Sequence, residues 1–473
     1  MLNIKSIVEN DIVIKTVADY AQKNNIPTYV VGGYVRDLII GRDTNDIDFV
    51  LVGDSLKLAE DVLKEIAPKI KLSVFKNFGT AHFTYDNINY EFVCARKESY
   101  SRNSRKPKIE TGTIEDDQKR RDFTINTLAI SLNKSDFCEI IDPFSGLDDM
   151  KNKIIRTPLN PNVTFDDDPL RMLRAIRFSC QLGFEIHYEC LEAIKNRVDR
   201  ISILSKERIT EELNKIILTK KPSTGINLLS DTGLLNLILP ELEQTKGVDI
   251  IDKQSHKDVY YHTLEVLDKL SQNSAHLWLK WAALLHDIGK PSTKKYAQTQ
   301  GWTFHGHEVV GARMVKSIFK RLKLPLNEKK DFVCKIVELH LRPVALVEET
   351  VTDSAVRRLL FEAGEHIDAL MMLCEADITS KDPKKVSRYL NNFKNLRQKL
   401  VEVEEKDKLR NWQPPVSGEV IMKTFNIPPG KEIGIIKTAI REAILDGKIE
   451  NSYDATFKFM LDFVGKNHPD LLG

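Results

Sequence analysis

A four-residue run rich in β-branched side chains, Thr28 to Val31, ends at Gly32-Gly33, and Tyr34 to Ile40 then reads as a helix. Asp46-Ile-Asp48-Phe-Val-Leu-Val reads as the next strand, and Ser55 to Ile66 as a helix capped by Asp54 or Ser55. Lys71 to Phe75, Gly79 to Tyr85 and Ile88 to Cys94 continue as strands, with Asp86-Asn87 as the hairpin turn between the last two. Residues 1 to about 25 are expected to form one helix. Beyond this sheet the pattern turns helical: Ile186 to about Leu239 throughout, with Ser205-Lys-Glu-Arg read as a capping box, then Lys384 to about Asp407 as a charged amphipathic helix. Asn411-Trp-Gln-Pro-Pro415 is a break before a small helical tail. The fold class is therefore α+β: a small mixed β-sheet head followed by all-α segments.

At 473 residues the chain is too long for one core and implies roughly three or four domains. A hydrophobic content of 42% and a mean hydropathy of -0.30 are those of an ordinary soluble protein. No apolar run approaches the ~20 residues that span a bilayer, and the N-terminus has no secretory core, so no membrane partner is expected. Six scattered cysteines lack zinc-site or disulfide-framework spacing and read as reduced thiols of a cytoplasmic protein. A net charge of +2 means that any nucleic-acid surface must come from local clustering. The densest cluster is Arg96 to Lys108, six basic residues against one acid, expected to be a mobile loop able to grip phosphates. Histidine is also uneven, with eight of the 11 between His256 and His366.

Glycines 32 and 33 allow backbone N–H groups and a helix start to come close to a phosphate. Asp46 and Asp48 are two apart on a strand and so share a face, where their carboxylates repel unless a cation sits between them. A pair of Mg²⁺ ions is the usual solution where phosphoryl oxygens are activated and a leaving group is neutralised. These residues, with Arg36, resemble the nucleotidyltransferase superfamily, in the branch of CCA-adding tRNA nucleotidyltransferases and bacterial poly(A) polymerases. The resemblance extends along the chain. Glu91, on a neighbouring strand, is the candidate third carboxylate. Lys119-Arg-Arg-Asp-Phe-Thr-Ile-Asn126 resembles the motif that lines the nucleotide pocket, which implies Arg121, Asp122 and Asn126 as binding residues, with Arg120 structural. Read on its own chemistry, Asp122 could cap the following helix or bond a ribose hydroxyl. Asp142 to Arg156 matches a glycine-containing hinge between head and neck. In Phe165 to Arg177, Asp168 before Pro169 has the form of a helix N-cap, and Arg171, Arg174 and Arg177 recur every third residue as a cationic ridge. The family motif implies Asp168 and Arg171 as readers of the incoming base, with Arg174 and Arg177 as nucleotide or RNA contacts. Asp167 stands where the family more often has Glu.

His262, His286-Asp287, His305, His307, His340 and Asp377 resemble the HD phosphohydrolase set. By that resemblance His262, His286, Asp287 and Asp377 bind one divalent transition metal or Mg²⁺. His307 and His340 serve a second ion or the phosphate, Lys290 pairs a phosphate oxygen, and His305 is the weaker member. The implied organisation is a nucleotidyltransferase head at 1–155, a helical neck at 156–245, an HD domain at 246–400 and a tail at 401–473. The implied activity is addition of C, C and A to the tRNA acceptor end from CTP and ATP. A poly(A) polymerase or a CC- or A-adding sibling shares the motifs, although the poly(A) branch usually lacks an HD domain. A protein whose main activity is the HD phosphohydrolase is the reading of another class. The sequence leaves the oligomeric state open.

Overall fold

Asp11 divides the N-terminal apolar stretch into α1 (Ile4–Asn10) and α2 (Ile12–Lys23), where one helix was expected. Its carboxylate accepts from the Val13 and Ile14 amides, so it caps α2 instead of continuing α1. The computed structural model describes residues 4–75, 79–101, 104–251, 254–348, 352–380, 382–407 and 414–469. The chain falls into two units, 1–219 with 224–238, and 220–223 with 239–473.

The first unit is built on β1 (Thr28–Val31), α3 (Gly33–Ile39), β2 (Asp46–Leu51), α4 (Ser55–Ile66), β3 (Ser73–Phe75), β4 (Thr80–Tyr85) and β5 (Ile88–Cys94). With β8 (Ala129–Ser131) and β9 (Ile140–Ile141) these strands form one sheet in the order β3-β4-β5-β2-β1-β8-β9. Only β2 and β5 run parallel, so the sheet is mixed, as expected. Alternation sorts its faces. Ile47, Phe49, Ala81, Phe83, Tyr90 and Phe92 are buried on one side, with the Phe49 and Phe92 rings stacked at 4.8 Å, and α4 packs on β4 and β5. The other side carries a smaller apolar cluster, Tyr29, Val31, Val50, Ala95 and Ala129, beside the acids of β2. Asp86 and Asn87 both have positive φ, 49° and 62°, which suits the tight turn between β4 and β5.

The basic run is a two-stranded antiparallel ribbon, β6 (Arg96–Ser101) and β7 (Ser104–Thr111), and not a loop. A polar ribbon closes its backbone hydrogen bonds without a hydrophobic face, so an apolar pattern gives no warning of it. Helix α5 (Ile114–Lys119) and a short 3₁₀ turn (Thr124–Asn126) lead back to β8. Helix α6 (Gly146–Asn152) starts where Asp142 accepts from the Gly146 and Leu147 amides. The 165–177 stretch is split between α7 (Pro161–Asp167) and α8 (Leu170–Leu182); Asp168 lies between them, accepting from the Leu170 amide. Helices α9 (Tyr188–Arg197) and α10 (Lys206–Ile217) follow, but Ser205 makes no capping bond. Three residues beyond Ser205 stands Arg208, and a capping box needs Glu or Gln there.

The second unit is mostly helical, with helices at Val259–Asn273, Leu277–Leu285, His307–Arg321, Glu328–Leu339 and Ile367–Ala376. Small strand pairs, such as Lys295–Ala297 with Gly301–Thr303, interrupt what the pattern predicts as all-α. The charged helix spans Pro383–Asp407. The expected break is only partly described, since 411–413 lie outside the described residues. Tail helices Gly418–Phe425, Lys431–Leu445 and Tyr453–Asn467 share a core of Val416, Ile421, Ile436, Ile440, Met460 and Val464. Among the described residues no helix is long and apolar enough to cross a membrane. All six cysteines are free thiols.

Candidate active site and metal centre

The parallel register of β2 and β5 sets Glu91 opposite Asp48 and Asn89 opposite Asp46, on the sheet side away from the aromatic core. Asn89 Nδ2 donates to Asp46 Oδ1 at 2.9 Å. Asp46 and Glu91 are exposed, while Asp48 is half-buried between them and β1. Burial pushes the Asp48 carboxyl up, Arg121 opposes that, and Glu91 and Asp46 add to the rise, leaving it at about 6. An all-oxygen carboxylate set with this mutual repulsion fits a hard divalent cation. Gly32 holds φ at +77°, and a Cβ there would stand 2.7 Å from Arg121 Nη1.

Beside Asp48 opens a cavity of about 640 Å³ lined by Gly33, Arg36, Arg121, Asp122, Asn126, Asp168, Arg171, Arg174 and Arg177. Residues from three sequence motifs thus meet in one cavity. Arg96, Arg208 and Phe178 also line it. Gly32, Asp46 and Glu91 adjoin the cavity without lining it.

The arginines are held from behind. Asp37 binds Arg36 in a bidentate pair, and Arg36 Nη1 donates to Asn126 Oδ1 at 2.6 Å. Asn126 Nδ2 donates to Asp122 Oδ1 at 2.9 Å, and Arg174 Nε donates to Asp122 Oδ2 at 2.7 Å. Asp122 also accepts from the Phe123 amide, so both its oxygens are engaged inside the protein. Burial would raise this carboxyl, but Arg174, Asn126 and Arg171 outweigh it and hold it at about 2. Buried Glu212 on α10 accepts from Arg177 at 2.6 Å. The anionic partners of the cationic ridge are therefore in part internal. Arg171 Nη2 donates to the Arg120 carbonyl at 2.5 Å. Arg36, Arg174 and Arg177 all lie over the Phe178 ring, at 5.0, 5.3 and 4.0 Å from its centre.

Asp117 was not singled out in the sequence. It is fully buried and pairs with both Arg120 and Arg121, which keep its carboxyl low against the effect of burial. The local signal is an acid on a helix three and four residues before two arginines at and just past its C-terminal end. Glu212 had no such local signal.

In the second unit four histidines converge on Asp287. Its Oδ2 lies 3.3 Å from His286 Nε2 and 3.6 Å from His262 Nε2; its Oδ1 lies 3.3 Å from His307 Nε2 and 3.8 Å from His340 Nε2. Asp377 Oδ1 accepts from His262 at 2.8 Å. Two ligand groups result, His262–His286–Asp287 and Asp287–His307–His340; no group of three formed by the head carboxylates is as close among the described residues. Nδ1 of His286, His307 and His340 each faces a backbone carbonyl at 2.7–2.8 Å, which leaves Nε2 as the inward lone pair. His286 Nε2 is buried with no hydrogen-bond partner. That orphaned nitrogen, among carboxylates and imidazoles, fits a divalent metal. Lys290 donates to Asp287 Oδ2 at 2.6 Å, one of the three N–H bonds its ammonium can make; His305 is exposed and apart. His262 differs from the others, with Thr379 Oγ1 and Lys257 Nζ each 3.0 Å from its Nδ1.

Comparison with known proteins gives three family matches in chain order. A Poly A polymerase head domain covers residues 28–156. A "Probable RNA and SrmB- binding site of polymerase A" covers 183–245, and an HD domain covers 259–376. The chain is 31% identical over 354 residues to an A-adding tRNA nucleotidyltransferase of Deinococcus radiodurans, covering 72% of this chain and 78% of that one. It is 31% identical over 363 residues to the multifunctional CCA protein of Aliivibrio salmonicida, covering 74% and 84%. Among solved structures, the Bacillus stearothermophilus CCA-adding enzyme in complex with CTP superposes with a TM-score of 0.68 at 22% identity, over 96% of this chain and 97% of that one.

Proposed function

From the premise that the chain belongs to the tRNA nucleotidyltransferase family, we propose that it adds C, C and A to the 3′ end of tRNA from CTP and ATP without a nucleic-acid template. The observation that carries this reading is the acidic row Asp46, Asp48 and Glu91 at the edge of an arginine-lined cavity. The RNA 3′-hydroxyl oxygen forms the new bond to the α-phosphorus as the bond to the β-phosphate oxygen breaks. Pyrophosphate leaves, and the hydroxyl proton is lost. Mg²⁺ held by Asp46 and Asp48, with Glu91 beside them, would activate the hydroxyl and neutralise charge on the phosphates. Arg36, Arg121, Arg174 and Arg177 receive the triphosphate, with the backbone at Gly32 and Gly33 close by. Asp168 accepts from the exocyclic amine shared by C and A, and Arg171 donates to ring acceptors. Asp122 and Asn126 act by orienting Arg174 and Arg36.

The test supplies CTP alone, ATP alone and both to tRNA ending at the discriminator base, at the first C and at the second C. Growth to the full CCA end supports the proposal. Addition of A alone, and only to the CC end, would make it an A-adding enzyme, and an extended A tract on other RNA a poly(A) polymerase. Asp46→Ala and Asp48→Ala should each abolish addition with unchanged circular dichroism; substantial residual addition would remove the acid pair from the chemistry.

The orphaned His286 nitrogen favours a second activity. The proposed division is head 1–155, neck 156–245, HD domain 246–400 and tail 401–473, with the HD domain a metal-dependent phosphohydrolase. Release of phosphate from 2′,3′-cyclic nucleotides in the presence of transition metals tests it.

A further inference from the structure

The sheet has two differently furnished halves on its acidic side. Pairing sets Asp48 against Glu91, Glu91 against His82 and His82 against Ser73, so these residues form one row across β2, β5, β4 and β3. Next to that row Phe75 stacks on His82, the rings 5.8 Å apart and 12° from parallel. Phe75 is 51% exposed on an edge strand, where a large apolar ring is a liability unless it has a use. Thr84, Asn89 and Asp46 form a hydrogen-bonded line on the same side. Most of the cavity arginines lie the other way. Arg36 comes from the helix after β1, Arg121 from the segment before β8 and Arg174 from α8, whereas Arg96, which follows β5, is the exception, so β2 divides that larger cationic group from the aromatic outer strands.

We propose that Phe75, stacked on His82, is the platform for the 3′-terminal base of the acceptor RNA. The inference rests on the nucleotidyl-transfer reading above and assigns the second substrate its side of the same site. In-line displacement requires the attacking oxygen to enter opposite the leaving pyrophosphate. The pyrophosphate charge is drawn to the larger group of arginines, Arg36, Arg121 and Arg174, so the attacking ribose approaches from the side of β5 and β4. A stacking surface also suits this substrate chemically. The terminal base changes as the end grows, and a π face accepts any base without reading it.

The experiment uses the full chain and tRNA lacking its last adenosine, with 2-aminopurine at the 3′ terminus. Quenching of the probe on binding wild type, and its loss in Phe75→Ala, is expected. The KM for RNA should rise about tenfold in that variant with the KM for ATP unchanged. Phe75→Trp should restore both, and Phe75→Leu, which keeps an apolar edge residue without a ring, should not. Unchanged quenching and RNA KM in Phe75→Ala would overturn the proposal. So would full recovery in Phe75→Leu, or a rise in the KM for ATP alone, which would assign the ring to the incoming nucleotide. If wild type extends no tRNA at all, the transfer reading falls, whereas the quench still judges the platform.

Discussion

Gly32 bends the chain at φ +77° and ψ -133°, a region nearly closed to other residues, directly beneath the Arg121 guanidinium. Alanine there should cost about 1–3 kcal/mol of backbone strain and displace Arg121. A lower urea midpoint together with a raised KM for ATP is the expected result. Asp122 makes a different prediction. Its carboxyl falls from the ordinary 3.8 to about 2 on folding, chiefly against burial and through Arg174. The folded value is the lower one, so its stabilisation of about 2 kcal/mol is complete above roughly pH 4 and lost as pH falls toward 2. Urea titrations at pH 7, 5 and 2.5 should find Asp122→Asn well below wild type at the first two and closer to it at the last. Residues such as Gly32, Asp46 and Asp48 were legible because strand alternation and turn chemistry are local rules. The tether from Glu212 to Arg177 joins positions 35 apart, and no local pattern encodes it.

At the scale of elements, β4, β5 and their Asp86-Asn87 turn followed from alternation and from residues that tolerate positive φ. The 96–111 ribbon did not, because its strands carry charge where a periodicity argument looks for apolar positions. Helix α8 was legible as a three-residue arginine repeat, but its partners arise only when α10 and the 117–126 segment fold against it. Within that repeat Arg171 stands apart, since it bonds two backbone carbonyls, those of Thr164 and Arg120, and no acid among the described residues. Arg171→Ala should therefore disturb base choice more than it disturbs the other arginines. A hydrogen bond from a charged donor contributes about 1.5–3 kcal/mol, so discrimination against GTP and UTP should fall at least about tenfold. Competition assays with mixed nucleotides measure this; unchanged selectivity would remove Arg171 from base reading.

For the whole molecule, the motif sets at 28–177 and 262–377 lie in separate units. The small strand pairs of the second unit were not anticipated, because two or three residues carry too little pattern. His286→Ala removes one member of the proposed metal set of the second unit. Bound transition metal measured by elemental analysis should drop, phosphate release should disappear, and tRNA extension should stay within about twofold of wild type. Loss of both activities together would mean that the two halves do not act independently.

Asp37, Asp117, Asp122 and Glu212 each already grip a guanidinium beside the cavity. Ordering a long side chain on association costs about 0.5–1.5 kcal/mol, and here that entropy is surrendered during folding. The cavity is thus preorganised, and a triphosphate would meet a rigid mould instead of gathering loose arms.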